Sequence, residues 1–331
     1  MVRNETAAMR EGGDERQLVD FHCHYTAGQQ PALAPPTSDA SALAHWRLLS
    51  ARMSDCEGML AEMAELGVDR RVLSAPPYLV ARDTPLPQKT ICVMNDHLAD
   101  TVLSHPQSLS GLATIDIFRG EVSATEVRRA TSELGLSGII VDCMSQGRLL
   151  DSSDARPGLE AAAERGIPVL MHPVSLPALS VELPGLGEFT ETLARGTTAA
   201  ASLLALINSG LLDALPGLKL VVPWLGGCGL VLASTHEYAD RFRADTPEAD
   251  RWHIYVDTMG FAPKSIRYAV DLLGSDHVLV GSDWPIAPQK ASRARVEATF
   301  SAAGFDSETS RRLCHRNSLA LLDPLSASSK R

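Results

Sequence analysis

Residues 18–25 read Leu18-Val19-Asp20-Phe21-His22-Cys23-His24-Tyr25, a short apolar run that ends in His-x-His. Side chains alternate faces along a strand, so His22 and His24 of an extended segment point the same way. Two imidazoles on one face can share one cation. This first run, Leu18–Phe21, is followed by seven more β-rich apolar runs: Arg71–Ser74, Ser110–Ile115, Gly138–Asp142, Pro168–Met171, Leu218–Val222, Ile254–Asp257 and Val278–Gly281. Helical stretches alternate with them. They fall near Asp55–Leu66, Ile91–Ser104, Val122–Leu134 and Gly158–Arg165, within Thr190–Leu215, and near Lys264–Leu273 and Arg311–Leu322. Strands and helices in regular alternation are parallel βα units. Eight of them predict an α/β fold, a distorted (β/α)8 TIM barrel. An open doubly wound sheet is the alternative with the same alternation.

The barrel reading places the ends of the runs at one mouth, where catalytic groups of such barrels stand. His172 ends the fifth run, in Ile167-Pro168-Val169-Leu170-Met171-His172-Pro173, and Asp283 follows the eighth, in Val280-Gly281-Ser282-Asp283-Trp284-Pro285. A carboxylate directly after an apolar strand is costly unless it is paired or bound to a metal. His22, His24, His172 and Asp283 thus form a candidate metal-ligand set from strands one, five and eight. Three imidazoles and a carboxylate suit one divalent ion, Zn²⁺ first and Mn²⁺ as the alternative. Arg148, in Ser145-Gln146-Gly147-Arg148 after strand four, is a candidate to pair with a substrate carboxylate. A solvated loop arginine is the competing reading.

Two long connections, 25–54 and 173–189, are rich in Pro, Ser and Gly and read as loops over the active-site face. Residues 1–17 lack periodicity and read as a mobile tail, leaving 18–331 as a single barrel domain. The chain has 331 residues, 45% hydrophobic and 21% charged, the composition of a soluble globular protein. Its net charge of −10, without a basic cluster, argues against nucleic acid as partner. No apolar run reaches the length of a membrane span. Six scattered cysteines without a C-x-x-C pair read as free thiols of a cytoplasmic enzyme.

DFHCHY (20–25), IPVLMHP (167–173), LPGLKLVVPWLGG (215–227), VDTMG (256–260), VLVGSDWP (278–285) and HRNSLALL (315–322) occur in this order. In them the chain resembles the amidohydrolase superfamily, in the amidohydrolase 2 branch that includes aminocarboxymuconate-semialdehyde and γ-resorcylate decarboxylases. The resemblance implies a distorted barrel, a mononuclear divalent metal, small carboxylated substrates and a homo-oligomer. One position departs from the family. A histidine usually follows strand six, and Trp224 stands in its place. An indole N–H donates one hydrogen bond but carries no titrating proton. Trp224 is therefore a candidate substrate contact, not an acid or base.

The leading functional expectation is a metal-dependent non-oxidative decarboxylase of a small aromatic or unsaturated carboxylic acid, with Asp283 moving the proton. That chemistry needs no attacking water, so it best survives the missing histidine. The alternative is a metal-dependent hydrolase of a lactone, amide or related carbonyl. A barrel that binds a ligand without turnover is the third reading.

Overall fold

The computed structural model describes residues 17–26, 39–82, 84–187, 189–223 and 226–323. Eight parallel strands carry the fold: β1 (Val19–His24), β2 (Arg70–Ser74), β3 (Leu109–Thr114), β4 (Gly138–Asp142), β5 (Pro168–His172), β6 (Lys219–Val222), β7 (His253–Asp257) and β8 (Val278–Leu279). Each pairs with the next in chain order. The ring is closed between β8 and β1. Phe21 N donates to Val280 O at 2.8 Å, and His24 N donates to Trp284 O at 2.7 Å. This closure, absent from a doubly wound sheet, makes the molecule a (β/α)8 barrel.

The alternation of side chains builds the barrel in layers. Val19, Phe21, Val72, Leu112, Ile140, Leu170, Val221 and Leu279 fill the interior, with Tyr255 beside them. Each such aliphatic or aromatic group, fully withdrawn from water, contributes about 1.5–3 kcal/mol. The helix Asn317–Leu322 closes the lower end with Leu321. Asn317 fixes that helix by donating to Ser275 O at 2.7 Å and Val278 O at 2.8 Å. Two residues beyond the apolar layer, toward the carboxyl ends, the same face carries Ser74, Thr114, Asp142, His172 and Asp257, all buried. The barrel therefore ends in a buried polar layer.

Both long connections hold helices that their Pro and Ser content obscured. Within 25–54 lies Ala40–Arg52, started by Asp39, whose side chain accepts from Ser41 N and Ala42 N. Within 173–189 lies the short helix Pro177–Glu182, with Pro at its start. The helices Pro77–Ala81 and Arg293–Ala302 lie outside the helical stretches that the sequence pattern marks. The last helix is broken into Ser307–Arg311, a π turn at Arg312–Arg316, and Asn317–Leu322. The tail expected at 1–17 lies outside the described residues save for Gln17, and so do Trp224 and Leu225. All six cysteines are unbridged. Among the described residues no helix is long and apolar enough to cross a membrane.

Candidate metal centre

β1 is irregular where it matters. Asp20 pairs with Arg71 and Cys23 with Leu73, so one extra residue is inserted between them. The bulge lets both Phe21 and His22 face inward, while Cys23 turns to the outer core. His22 and His24 then stand edge to face with ring centres 5.1 Å apart, and His172 from β5 lies 5.2 Å from His24. All three imidazoles are about 2% exposed or less.

Asp283 enters this cluster through a strained backbone. Its φ is +59°, a region that costs a non-glycine residue on the order of 1–3 kcal/mol. The neighbours on either side hold it there. Ser282 donates twice to the buried Asp20, from N at 2.9 Å and from Oγ at 2.6 Å. Trp284 donates from Nε1 to Glu62 at 2.6 Å, and its ring is covered by the Arg71 guanidinium at 4.3 Å. Fixed this way, Asp283 Oδ1 lies 3.0 Å from His24 Nε2 and 3.6 Å from His22 Nε2.

The surrounding acids orient the imidazoles. Asp257, at the end of β7, takes a 2.6 Å hydrogen bond from His22 Nδ1 and leaves Nε2 aimed at the cluster. Gly281 makes that approach possible: a Cβ there would stand 2.8 Å from Asp257 Cβ and 3.0 Å from His22 Cβ. Asp142, at the end of β4, lies 3.6 Å from His172 Nδ1. Arg195, from the helix Phe189–Asn208, donates to His172 Nε2 at 3.3 Å and to Pro173 O at 3.3 Å.

Burial lowers the affinity of His24 for a proton. It lowers His172 far more, and there the Arg195 charge adds to burial. Burial would lower His22 too, but its bond to Asp257 and the Asp283 charge carry it above the ordinary histidine value. Asp283 resists burial because His24 and His22 are so close, and it stays below the usual carboxylate range.

This donor set fits a divalent cation. His22 Nε2, His24 Nδ1 and His172 Nδ1 are buried without a hydrogen-bond partner. Each such atom destabilises a protein by about 1–3 kcal/mol unless something binds it. Ligand atoms of His22, His24 and Asp283 lie within 4.8 Å of one another, close enough for one ion. His172 adjoins this group through His24. Arg148 does not. It stands on a small hairpin, donates to Asp154 at 2.7 Å, and rests its guanidinium 5.2 Å from the Phe118 ring. None of these contacts is to a residue of the cluster. His236, the next histidine along the chain after position 224, is exposed.

The model of the family described as amidohydrolase matches residues 19–323. The chain belongs to this family. Among curated proteins it is similar to γ-resorcylate decarboxylase of Polaromonas sp. (strain JS666 / ATCC BAA-500), 28% identical, with 72% of this chain and 80% of that one covered. It is also 26% identical to 2-amino-3-carboxymuconate-6-semialdehyde decarboxylase of Dictyostelium discoideum, over 72% of this chain and 69% of that one. Among solved structures, dihydroxybenzoic acid decarboxylase of Polaromonas sp. JS666, with bound manganese and the inhibitor 2-nitroresorcinol, aligns with a TM-score of 0.73 at 22% identity, covering 93% and 97% of the two chains. The 5-carboxyvanillate decarboxylase of Sphingomonas paucimobilis aligns with a TM-score of 0.71 at 22% identity, covering 93% and 99%. At such identities these two likenesses establish the shared barrel.

Proposed function

We propose that this amidohydrolase is a metal-dependent, non-oxidative decarboxylase of a small aromatic or unsaturated carboxylic acid. The observation that carries the reading is the buried cluster itself: three imidazoles with unsatisfied nitrogens around one strained carboxylate. The decarboxylases among its relatives supply the reaction class. His22, His24, His172 and Asp283 would hold the cation. Bound there, it would anchor the substrate's oxygens and draw electron density from the bond to be broken. Manganese, present in the Polaromonas structure, is the first ion to test beside zinc.

The rest falls to the chain's own groups. Asp257 keeps His22 in one tautomer and one orientation. The polar layer is buried, and low exposure to solvent strengthens the charge interactions within it. Asp283 moves the proton. As the C–C bond breaks, CO2 leaves and the electron pair stays on the ring or vinyl carbon. Asp283 takes up a proton from solvent and passes it to that carbon, so R–CO2⁻ and H⁺ become R–H and CO2. Trp224 follows Pro223 at the carboxyl end of β6 and is the residue proposed to contact the substrate ring. Phe189, Leu193, Val231 and Leu232, exposed on two helices that pack together, support a homo-oligomer.

The test is a panel of hydroxylated benzoates and lactones given to the manganese- or zinc-loaded protein. CO2 release with the matching phenol is the expected result. Turnover of lactones with water uptake and no CO2 would make the protein a hydrolase instead.

A further inference from the structure

A decarboxylase must recognise the group it removes, and Arg148, the sequence candidate, is engaged by Asp154. We propose that Arg195 forms the carboxylate-binding subsite, an inference that rests on the decarboxylase reading. Arg195 sits nearly two turns into the helix that begins at Phe189, and its guanidinium reaches the cluster. Its two hydrogen bonds go to His172 Nε2 and to the backbone oxygen of Pro173, both neutral acceptors. Among the described residues it has no carboxylate in ion-pair contact, unlike Arg52, Arg129, Arg148, Arg241 and Arg293. The charge is nonetheless close enough to lower His24, His172 and Asp283.

The chemistry of His172 decides what this guanidinium does. A guanidinium only donates, so its bond to Nε2 requires a lone pair there. An imidazole that holds a cation uses one nitrogen for it and keeps its proton on the other. If Nε2 binds the cation, Arg195 is displaced directly. If Nδ1 binds it, Nε2 carries the proton and no longer accepts. In both cases the bond from Arg195 to His172 and a cation on His172 exclude each other. A cation on His172 would therefore free the half-buried Arg195 fork beside the cluster. A carboxylate is the ligand class that matches it, through paired N–H···O bonds. A substrate bound this way has its leaving CO2 group fixed, while its ring remains free to contact other residues.

The experiment uses the whole chain and two variants, Arg195→Met and Arg195→Lys. The first readout is Mn²⁺ binding alone. Arg195→Met should tighten it, because a competing cation is gone. A side chain that merely braced His172 would give the opposite, weaker Mn²⁺ binding, and that result overturns the proposal. The second readout is calorimetric binding of 2,6-dihydroxybenzoate and of benzene-1,3-diol, the same ring without the carboxylate, to the Mn²⁺-loaded forms. Arg195→Met should weaken the acid by about 10- to 100-fold, the range for a hydrogen-bonded charge pair, and leave the diol within about twofold. Arg195→Lys should fall between. Equal weakening of both ligands, or unchanged binding of the acid, overturns the subsite. If the wild type holds Mn²⁺ yet binds neither ring, the carboxylate subsite is overturned, while the decarboxylase reading still stands or falls on CO2 release in the substrate panel.

Discussion

Gly281→Ala is the substitution whose effect the geometry fixes most closely. The added methyl would lie 2.8 Å from Asp257 Cβ and 3.0 Å from His22 Cβ. Carbon atoms pack best at about 3.5–4.0 Å, so the neighbours must give by about 0.5 Å or more. Both contacts are Cβ atoms on barrel strands, and neither can rotate away. Overpacking of this kind destabilises by about 1–3 kcal/mol. The strain falls on the 2.6 Å bond between His22 and Asp257, the contact that aims His22 Nε2. Disturbing the partner of a ligating histidine lowers metal affinity by about 10- to 100-fold. Urea denaturation of the metal-free protein measures the first effect, and Mn²⁺ titration under native conditions measures the second. A Gly281→Ala protein with wild-type stability and wild-type Mn²⁺ affinity would refute the reasoning, because it would mean that β7, β8 and β1 do not meet as described.

Asp283→Asn keeps an oxygen at the cluster but cannot carry a proton. Turnover of the acid identified in the panel should fall by about 10²–10⁴-fold, the usual worth of a positioned acid or base, with a much smaller loss of metal. An unchanged kcat removes Asp283 from the proton path. A different carboxylate contributes to the loss of stability in acid. Burial pushes Glu62 up, but Lys290, Trp284 and Arg52 together hold it at about 2, against an ordinary value of 4.5. Its folded value is the lower one, so its contribution is present above pH 4.5 and is lost as pH falls from there toward about 2. Glu62→Gln should therefore be less stable than wild type at neutral pH and should converge with it in acid. Parallel stability curves down to pH 2 would contradict this.

Much of the site is written in local pattern. His22, His24, His172 and Asp283 each end an apolar run, and the barrel brings all such ends to one mouth. Asp142 and Asp257 obey the same rule at the ends of β4 and β7, and could have been singled out on that ground. Other features leave no local mark. The bulge in β1 shows only in its register with β2, and strict alternation would have turned Phe21 away from the face of His22. The helix Ala40–Arg52 was hidden by the Pro-rich stretch before it, although Asp39 is a ready cap. Arg195 belongs to a helix whose other residues read as core or surface, and only tertiary packing carries it to His172. The left-handed backbone of Asp283 depends on Asp20, at the far end of the sequence.

His22, His24, His172 and Asp283 are proposed to hold one divalent ion on which activity depends. Elemental analysis of the purified chain after exposure to Mn²⁺ or Zn²⁺ and removal of free ions tests it most directly, with His24→Ala carried in parallel. The structure predicts about one ion per chain in the wild type and almost none in His24→Ala, while circular dichroism shows both folded. A folded wild type that retains no ion, or a His24→Ala protein that retains as much as the wild type, would contradict it.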